Sequence, residues 1–201
     1  KDASDQDAEW TIPFTELFAY MNENMIPETE KDNYEAYLAT VKEKLGKKRI
    51  ALSFDDGPRA ETTPKVLEIL KKYNAHATFY IVGSHVEGNE SIVKQIVAEG
   101  HELGDHSYSH PLLTKKSADE VYQEVHKTSD LIAKASGGLR PMSLRPPYGG
   151  FNKMVSEQAG IAIVNWSIDS LDWKYRDAAK PIEQINETAH NGGILLMHDI
   201  H

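Results

Sequence analysis

From Arg49 onward the chain alternates between two patterns of apolar residues. Short β-rich runs ("RIALSF", "ATFYIV", "HELGD", "MSLRP", "IAIVNWSI" and "GGILLM") alternate with longer segments whose apolar positions recur every three to four residues. The longer segments are "TPKVLEILKKYN", "ESIVKQIVAEG", "SADEVYQEVHKTSDLIAKAS", "NKMVSEQAG" and "KPIEQINETAHN". The first pattern suits strands buried on both faces, the second amphipathic helices, and their alternation predicts a parallel sheet covered by helices. Thr63 before Pro64 reads as a helix N-cap with proline at the first helical position, and Gly100, Gly137 and Gly160 stand where helices should stop. Residues 1–48 differ. "FTELFAYMNENM" has helical spacing and is ended by Pro27, and "DNYEAYLATVKEKLG" reads as a second amphipathic helix stopped at Gly46. The expectation is a helical lead-in or linker from an upstream region over 1–48, without chemistry of its own, and an α/β domain over 49–201.

The polar residues fall at the ends of the runs. "SFDDGP" puts Asp55 and Asp56 at the carboxyl end of the first strand. "HELGD" runs into "HSYSH" with His106 and His110, and "MSL" runs into "RPPYGG" with Arg145 and Tyr148. "IVNWSI" runs into "DSLDW" with Asp169, Asp172 and Trp173, and "GGILLM" runs into "HDIH" with His198, Asp199 and His201. Ligand-binding and catalytic groups of parallel α/β folds collect at the carboxyl ends of strands. These groups are therefore expected to meet in one open groove, although each motif alone has a plain reading. "DDGP" is a common turn, two histidines four apart would share one face of a helix, "RPPYGG" can be a stiff loop, and "HD" an ordinary polar pair. His76, His85, His101, His126 and His190 read as structural or solvated.

Composition narrows the chemistry. The chain has 201 residues and no cysteine, which excludes disulfides, thiolate metal ligands and cysteine nucleophiles. A net charge of −9 without a basic cluster argues against a nucleic-acid partner. No apolar stretch approaches the roughly 18–20 residues that span a bilayer. Two adjacent carboxylates repel unless a cation lies nearby or one of them titrates. Two neutral imidazoles and one carboxylate of the pair would make a three-ligand zinc-type site with a position open for water, whose pKa such a site lowers to about 7 in the best cases. The second carboxylate is then available as a base and a histidine on another strand end as an acid, which is equipment for hydrolysing an amide or ester.

Taken together and in order, "SFDDGP", "HSYSH", "RPPYGG", "DSLDW" and "LLMHD" resemble the five motifs of the polysaccharide deacetylases, the NodB-homology domain of carbohydrate esterase family 4. The resemblance covers about 48–201 and implies a distorted (β/α) barrel. It implies that Asp55 is the catalytic base, that Asp56, His106 and His110 bind the metal (Zn²⁺, or Co²⁺ or Ni²⁺), and that Arg145 orients and tunes the base. It further implies that the Tyr148 backbone N–H stabilises the oxyanion, that His198 is the general acid held by Asp172, and that Trp173 and Leu196 line the acetyl pocket. Asp169 is a supporting candidate behind these.

"NWSIDSLDW" and the helical lead-in look most like Gram-positive peptidoglycan N-acetylglucosamine deacetylases. This implies a secreted or cell-surface enzyme, monomeric, that removes acetyl groups from a glycan. Chitin or chito-oligosaccharide deacetylases and acetylxylan esterases share the motifs and are the alternatives. Two other classes compete: a 2-His-1-carboxylate iron oxygenase, and a non-catalytic glycan-binding module. Opening on Lys1, the chain reads as a fragment. It stops three residues after His198, where the family continues, so the carboxyl end reads as truncated.

Overall fold

The computed structural model describes residues 49–175 and 177–200; the helices expected within 1–48, and His201, lie outside the described residues. Seven strands form one sheet: β1 (Ile50–Asp55), β2 (Ala77–Ile81), β3 (Glu102–Asp105), β4 (Ser143–Leu144), β5 (Ala162–Ile163), β6 (Ile168–Asp169) and β7 (Gly193–His198). Every bonded pair is parallel, in the order β5-β4-β3-β2-β1-β7-β6. The helices are α1 (Thr63–Lys72), α2 (Glu90–Ala98), α3 (Ala118–Ser136), α4 (Lys153–Ala159) and α5 (Ala179–Thr188).

The order requires the sheet to curl. β5 and β6 are its two edges, and in a flat sheet at ~4.8 Å per strand they would stand about 29 Å apart. Only five Cα steps join Ile163 to Ile168, a reach of roughly 17 Å. The crossing is visible in the hydrogen bonds: Val164 N–H donates to Leu144 O of β4 at 2.9 Å, and Ser167 N–H donates to Ile194 O of β7 at 3.1 Å. Residues 164–167 therefore cross the seam of a distorted (β/α) barrel. "IAIVNWSI", which reads as one strand, is two short strands on opposite edges with the crossing between them.

Strand register separates two faces. Leu52, Phe54, Phe79, Ile81, Leu103 and Met197 point outward and pack with Leu67, Leu70, Ile92, Val93, Ile96 and Ile132 of the covering helices. A second cluster, with Leu144, Leu113, Val121, Val125 and Val155, continues this core beside α3 and α4. The alternate positions Ser53 and Asp55 of β1 pair with Leu196 and His198 of β7 and with Thr78 and Tyr80 of β2, so these side chains share the inner face. Gly104 of β3 stands beside Tyr80 of β2, and a Cβ there would run into the Tyr80 ring, so only glycine leaves room for that ring inside the barrel.

Helix ends follow local chemistry. α3 begins with a capping box, Ser117 with Glu120, and ends at left-handed Gly137; α4 ends at left-handed Gly160, and Gly100 follows α2 with φ 80°. Thr63 differs from the N-cap expectation. Thr62 holds that position without a side-chain cap, and Thr63 is the first helical residue. Its hydroxyl is spent elsewhere, accepting from Arg59 N–H at 2.8 Å and donating to Asp199 Oδ2 at 2.5 Å.

Candidate active site

Five strand ends, those of β1, β3, β4, β6 and β7, contribute groups to one place. β1 ends on Asp55, buried and facing inward, and the chain then turns at Asp56 with φ 75°. Arg145, which follows β4, is completely buried. Its Nη1 donates to Asp55 Oδ1 at 2.7 Å and to Ser53 Oγ at 2.8 Å, and its Nε and Nη2 donate to the Val164 and Asn165 carbonyls at 3.2 and 3.3 Å. The guanidinium lies 4.1 Å from the Tyr80 ring centre and 5.9 Å from that of Trp166. A buried cation is tolerable only when its donors are met, and this one is held by a carboxylate, a hydroxyl, two carbonyls and aromatic faces. It therefore fixes the Asp55 carboxylate and ties β1 to the seam crossing.

Asp56, His106 and His110 form a second cluster. His106 Nε2 and His110 Nε2 lie 3.4 and 3.3 Å from Asp56 Oδ1, an oxygen that is buried and has no hydrogen bond of normal geometry. His106 Nδ1 donates to the Arg145 carbonyl at 2.6 Å, which turns the Nε2 lone pair toward Asp56. His106 and His110 do not share a helix. They sit in a loop after β3 in which Ser107 and His110 have φ of 62° and 57°, and this bend brings their ring centres to 4.9 Å.

The electrostatics call for a cation here. Burial opposes charge on Asp56, but His106, His110 and, farther off, His198 outweigh it and hold its carboxyl below the ordinary value. Burial likewise opposes charge on His106, yet Asp55 and Asp56 raise its pKa, while burial and His106 together lower that of His110. Among the described residues these three side chains make up the one group of three or more His or carboxylate residues whose ligand atoms all lie within 4.8 Å of one another. One orphaned carboxylate oxygen and two inward imidazole nitrogens fit a divalent ion.

On the other side His198 ends β7 in register with Asp55. Its Nδ1 donates to Asp172 Oδ1 at 2.7 Å and its backbone N–H to Asp172 Oδ2 at 2.7 Å. Burial opposes charge on the ring, but the Asp172 hydrogen bond and the charges of Asp172, Asp56 and Asp55 raise its pKa. For Asp172 burial is likewise outweighed, chiefly by His198, and its pKa is lowered. Asp169 accepts from Leu171 N–H at 2.8 Å and from Trp173 Nε1 at 3.3 Å, which sets the pose of the exposed Trp173. Leu196 is buried on the inner face two residues before His198. Tyr148 is exposed, has φ 61°, and its ring stands 4.9 Å from that of His110.

Several residues of this neighbourhood escape a reading of the sequence. Ser53 bridges Arg145 and the Leu195 carbonyl, to which it donates at 2.7 Å. His85, read as structural or solvated, stands 2.8 Å by its Nδ1 from the Asp56 carbonyl. Asp105 is buried behind His106, bonded by Ser107 N–H and Ser129 Oγ, and burial pushes its pKa up to about 7. Asp199 is buried beneath the Asp56–Gly57 turn, where burial raises its pKa to about 6 and where a Cβ on Gly57 would strike its carboxylate. Asp105 ends β3 as Asp55 ends β1, and Asp199 follows the last strand run, which are signals in the sequence; Ser53 and His85 carry none.

Comparison with known proteins agrees with this geometry. The polysaccharide deacetylase family model matches residues 42–166. The peptidoglycan-N-acetylglucosamine deacetylase PgdA of Listeria monocytogenes is 48% identical over 154 residues, 77% of this chain and 33% of the relative. The peptidoglycan-N-acetylmuramic acid deacetylase PdaC of Bacillus subtilis is 40% identical over 182 residues, 90% of this chain and 38% of the relative. The chain thus spans a third or slightly more of the length of these two relatives. The solved structure of PdaC superposes with a TM-score of 0.75 at 41% identity, covering 78% of this chain and 77% of that one. A carbohydrate esterase family 4 pseudoenzyme from Bacillus anthracis superposes at 0.72 with 33% identity, covering 76% and 55%. With the fold, the motifs and these similarities in agreement, the chain belongs to the polysaccharide deacetylase family.

Proposed function

We propose that this chain is the catalytic domain of a metal-dependent peptidoglycan N-acetylglucosamine deacetylase, releasing acetate and leaving a free amine on the glycan. The observation that carries the reading is the flanking of one His-His-Asp cluster by two independently supported groups. Asp55 is held by Arg145, and His198 is held by Asp172, on adjacent strands in register. A glycan-binding module needs neither a buried base nor a buried acid.

Asp56, His106 and His110 would hold the ion, Zn²⁺ or in its place Co²⁺ or Ni²⁺. A divalent ion supplies Lewis acidity there, acidifying water and polarising the amide carbonyl. Asp55 takes a proton from water as its oxygen attacks the acetyl carbon, with Arg145 keeping the carboxylate aimed. The Tyr148 backbone N–H serves as oxyanion donor, and Leu196 and Trp173 receive the methyl group. His198, whose pKa the Asp172 hydrogen bond and charge raise against burial, gives its proton to the departing nitrogen as the C–N bond breaks. The relatives' names and organisms support a role at the wall of a Gram-positive cell, outside the membrane, with polymeric glycan as the partner. No helix among the described residues is long and apolar enough to cross a membrane.

The test measures acetate released by the full chain from peptidoglycan, N-acetylglucosamine oligomers and acetylated xylan. A chelator is expected to abolish release, and Zn²⁺ or Co²⁺ to restore it. Faster release from xylan would make the chain an esterase, and release from N-acetylmuramic acid instead of N-acetylglucosamine would align it with PdaC. Binding of glycan without acetate release in the metal-loaded chain would overturn the catalytic reading.

A further inference from the structure

The loop that carries His106 and His110 is bent through two left-handed residues, a conformation that side chains other than glycine hold only under constraint. The constraint comes from both sides. The carbonyls of Ser107 and Tyr108 accept from Gly83 N–H and Ser84 N–H, each at 2.9 Å. The amides on the other edge are gathered by one side chain from α3: Tyr108 N–H and Ser109 N–H both donate to Glu124 Oε2 at 2.8 Å, and Ser109 Oγ donates to Oε1 at 2.7 Å. Lys127, three residues further along α3, stands 3.3 Å above the Tyr108 ring. The helix does not need Glu124 for itself, since its N-terminus is already closed by Ser117 and Glu120.

We propose that Glu124 is a positioning residue for the metal centre. By holding the Tyr108 and Ser109 amides it keeps the His110 ring facing Asp56 and so sets the affinity of the site, without touching ion or substrate. Charge-assisted bonds to two backbone amides are stronger than neutral ones, so the carboxylate suits this task. The inference rests on Asp56, His106 and His110 being the ligands.

The experiment measures Zn²⁺ and Co²⁺ affinity by competition with a chelator dye, in the full chain and in Glu124→Ala, Glu124→Gln and His110→Ala. Loss of supporting bonds around metal ligands typically costs 10–100-fold in affinity. Glu124→Ala is expected to weaken binding about tenfold or more in that range. Glu124→Gln, which keeps an acceptor of the same shape, should recover most of the loss. Acetate release by Glu124→Ala should approach the parent rate as Zn²⁺ is raised, since the deficit lies in occupancy. The Co²⁺ absorption bands should shift in Glu124→Ala, a change that a merely structural role would not produce in chain that remains folded. In the His110→Ala background Glu124→Ala should add little, because the ligand it positions is gone. If the parent binds no ion, the metal-centre reading itself fails. If the parent binds and Glu124→Ala binds equally well, or if Glu124→Ala weakens binding as much without His110 as with it, the positioning role is overturned. Should Glu124→Ala not fold, unchanged affinity in Glu124→Asp, whose shorter arm cannot span both amides, would overturn it equally.

Discussion

The two faces of the sheet solve different problems with neighbouring residues. On the outer face Phe54, Phe79 and Ile81 meet the apolar sides of α1, α2 and α3, and what matters is volume and shape. On the inner face, one residue away along the same strands, Ser53, Asp55 and Tyr80 surround a buried guanidinium, and what matters is that every polar atom finds its partner. The outer face stabilises by burial and tolerates exchange of one hydrocarbon for another. The inner face spends hydrogen bonds on aiming Asp55, and gains stability only while the set is complete. The separation explains how a short strand such as β1 can anchor the core and present the proposed base at once.

Substitutions can break this contrast. The largest effect is expected at the end of β1. Asp55→Asn should lower kcat by about 10²–10⁴-fold, the range for a lost general base, while metal content by elemental analysis stays at the parent level. Asp56→Asn should lose activity by a different route, through loss of the ion. If the first variant lost metal and the second kept it, the two roles would be reversed.

Phe79→Ala on the outer face should do the opposite. Removing a buried aromatic ring costs about 3–5 kcal/mol. In a domain of this size that is a fall in Tm on the order of 10 °C by calorimetry. Below its transition the variant should keep its metal affinity and kcat. A large loss of kcat in folded Phe79→Ala would show that the two faces are coupled.

Asp172→Asn sharpens the inner face. The Asp172 anion raises the His198 pKa, so removing its charge lowers it, and the alkaline limb of the pH–rate profile should move to lower pH. The matching stability term has a definite sign. Because the folded-state pKa of His198 is raised, its contribution is present below the ordinary imidazole value and fades as pH rises through the folded value. Asp172, lowered, loses its contribution as pH falls through its folded value. Asp172→Asn should flatten both trends in a series of pH-dependent melts, and an unmoved alkaline limb would remove His198 as the acid. The smallest effect is expected from Ile96→Val, where one methyl leaves the outer core at a cost of about 1 kcal/mol and kcat stays unchanged.

Much of this arrangement is legible along the chain, and the gaps have physical causes. The five α-helices among the described residues stand where 3.6-residue periodicity puts them, and Gly137 and Gly160 end two of them in the left-handed form. The polar strand ends stand together around the barrel mouth because parallel strands carry all their carboxyl ends to one side. "IAIVNWSI" misleads because Val164–Ser167 is apolar enough for a strand, yet the closing of the barrel makes it cross the seam. Thr63 misleads because a distant carboxylate, Asp199, competes for its hydroxyl. Glu124 is silent in the sequence: mid-helix glutamates are usually solvated, and only the packing of α3 against the loop after β3 gives this one three donors.

What the order of residues settles is everything that depends on neighbours along the chain. Helical and strand periodicity, glycine stops and the five motifs need only short-range sterics and burial, and they suffice for the family and its α/β class. Everything that depends on closing the sheet belongs to the folded molecule: which face of β1 is polar, why Arg145 can be buried, how His110 swings back to His106, and that Glu124 holds the loop between them. The bonds that hold Arg145 and the histidine loop join residues from 15 to 92 positions apart. Local preference cannot encode them, because each bond forms only after the barrel has brought its partners within hydrogen-bonding reach.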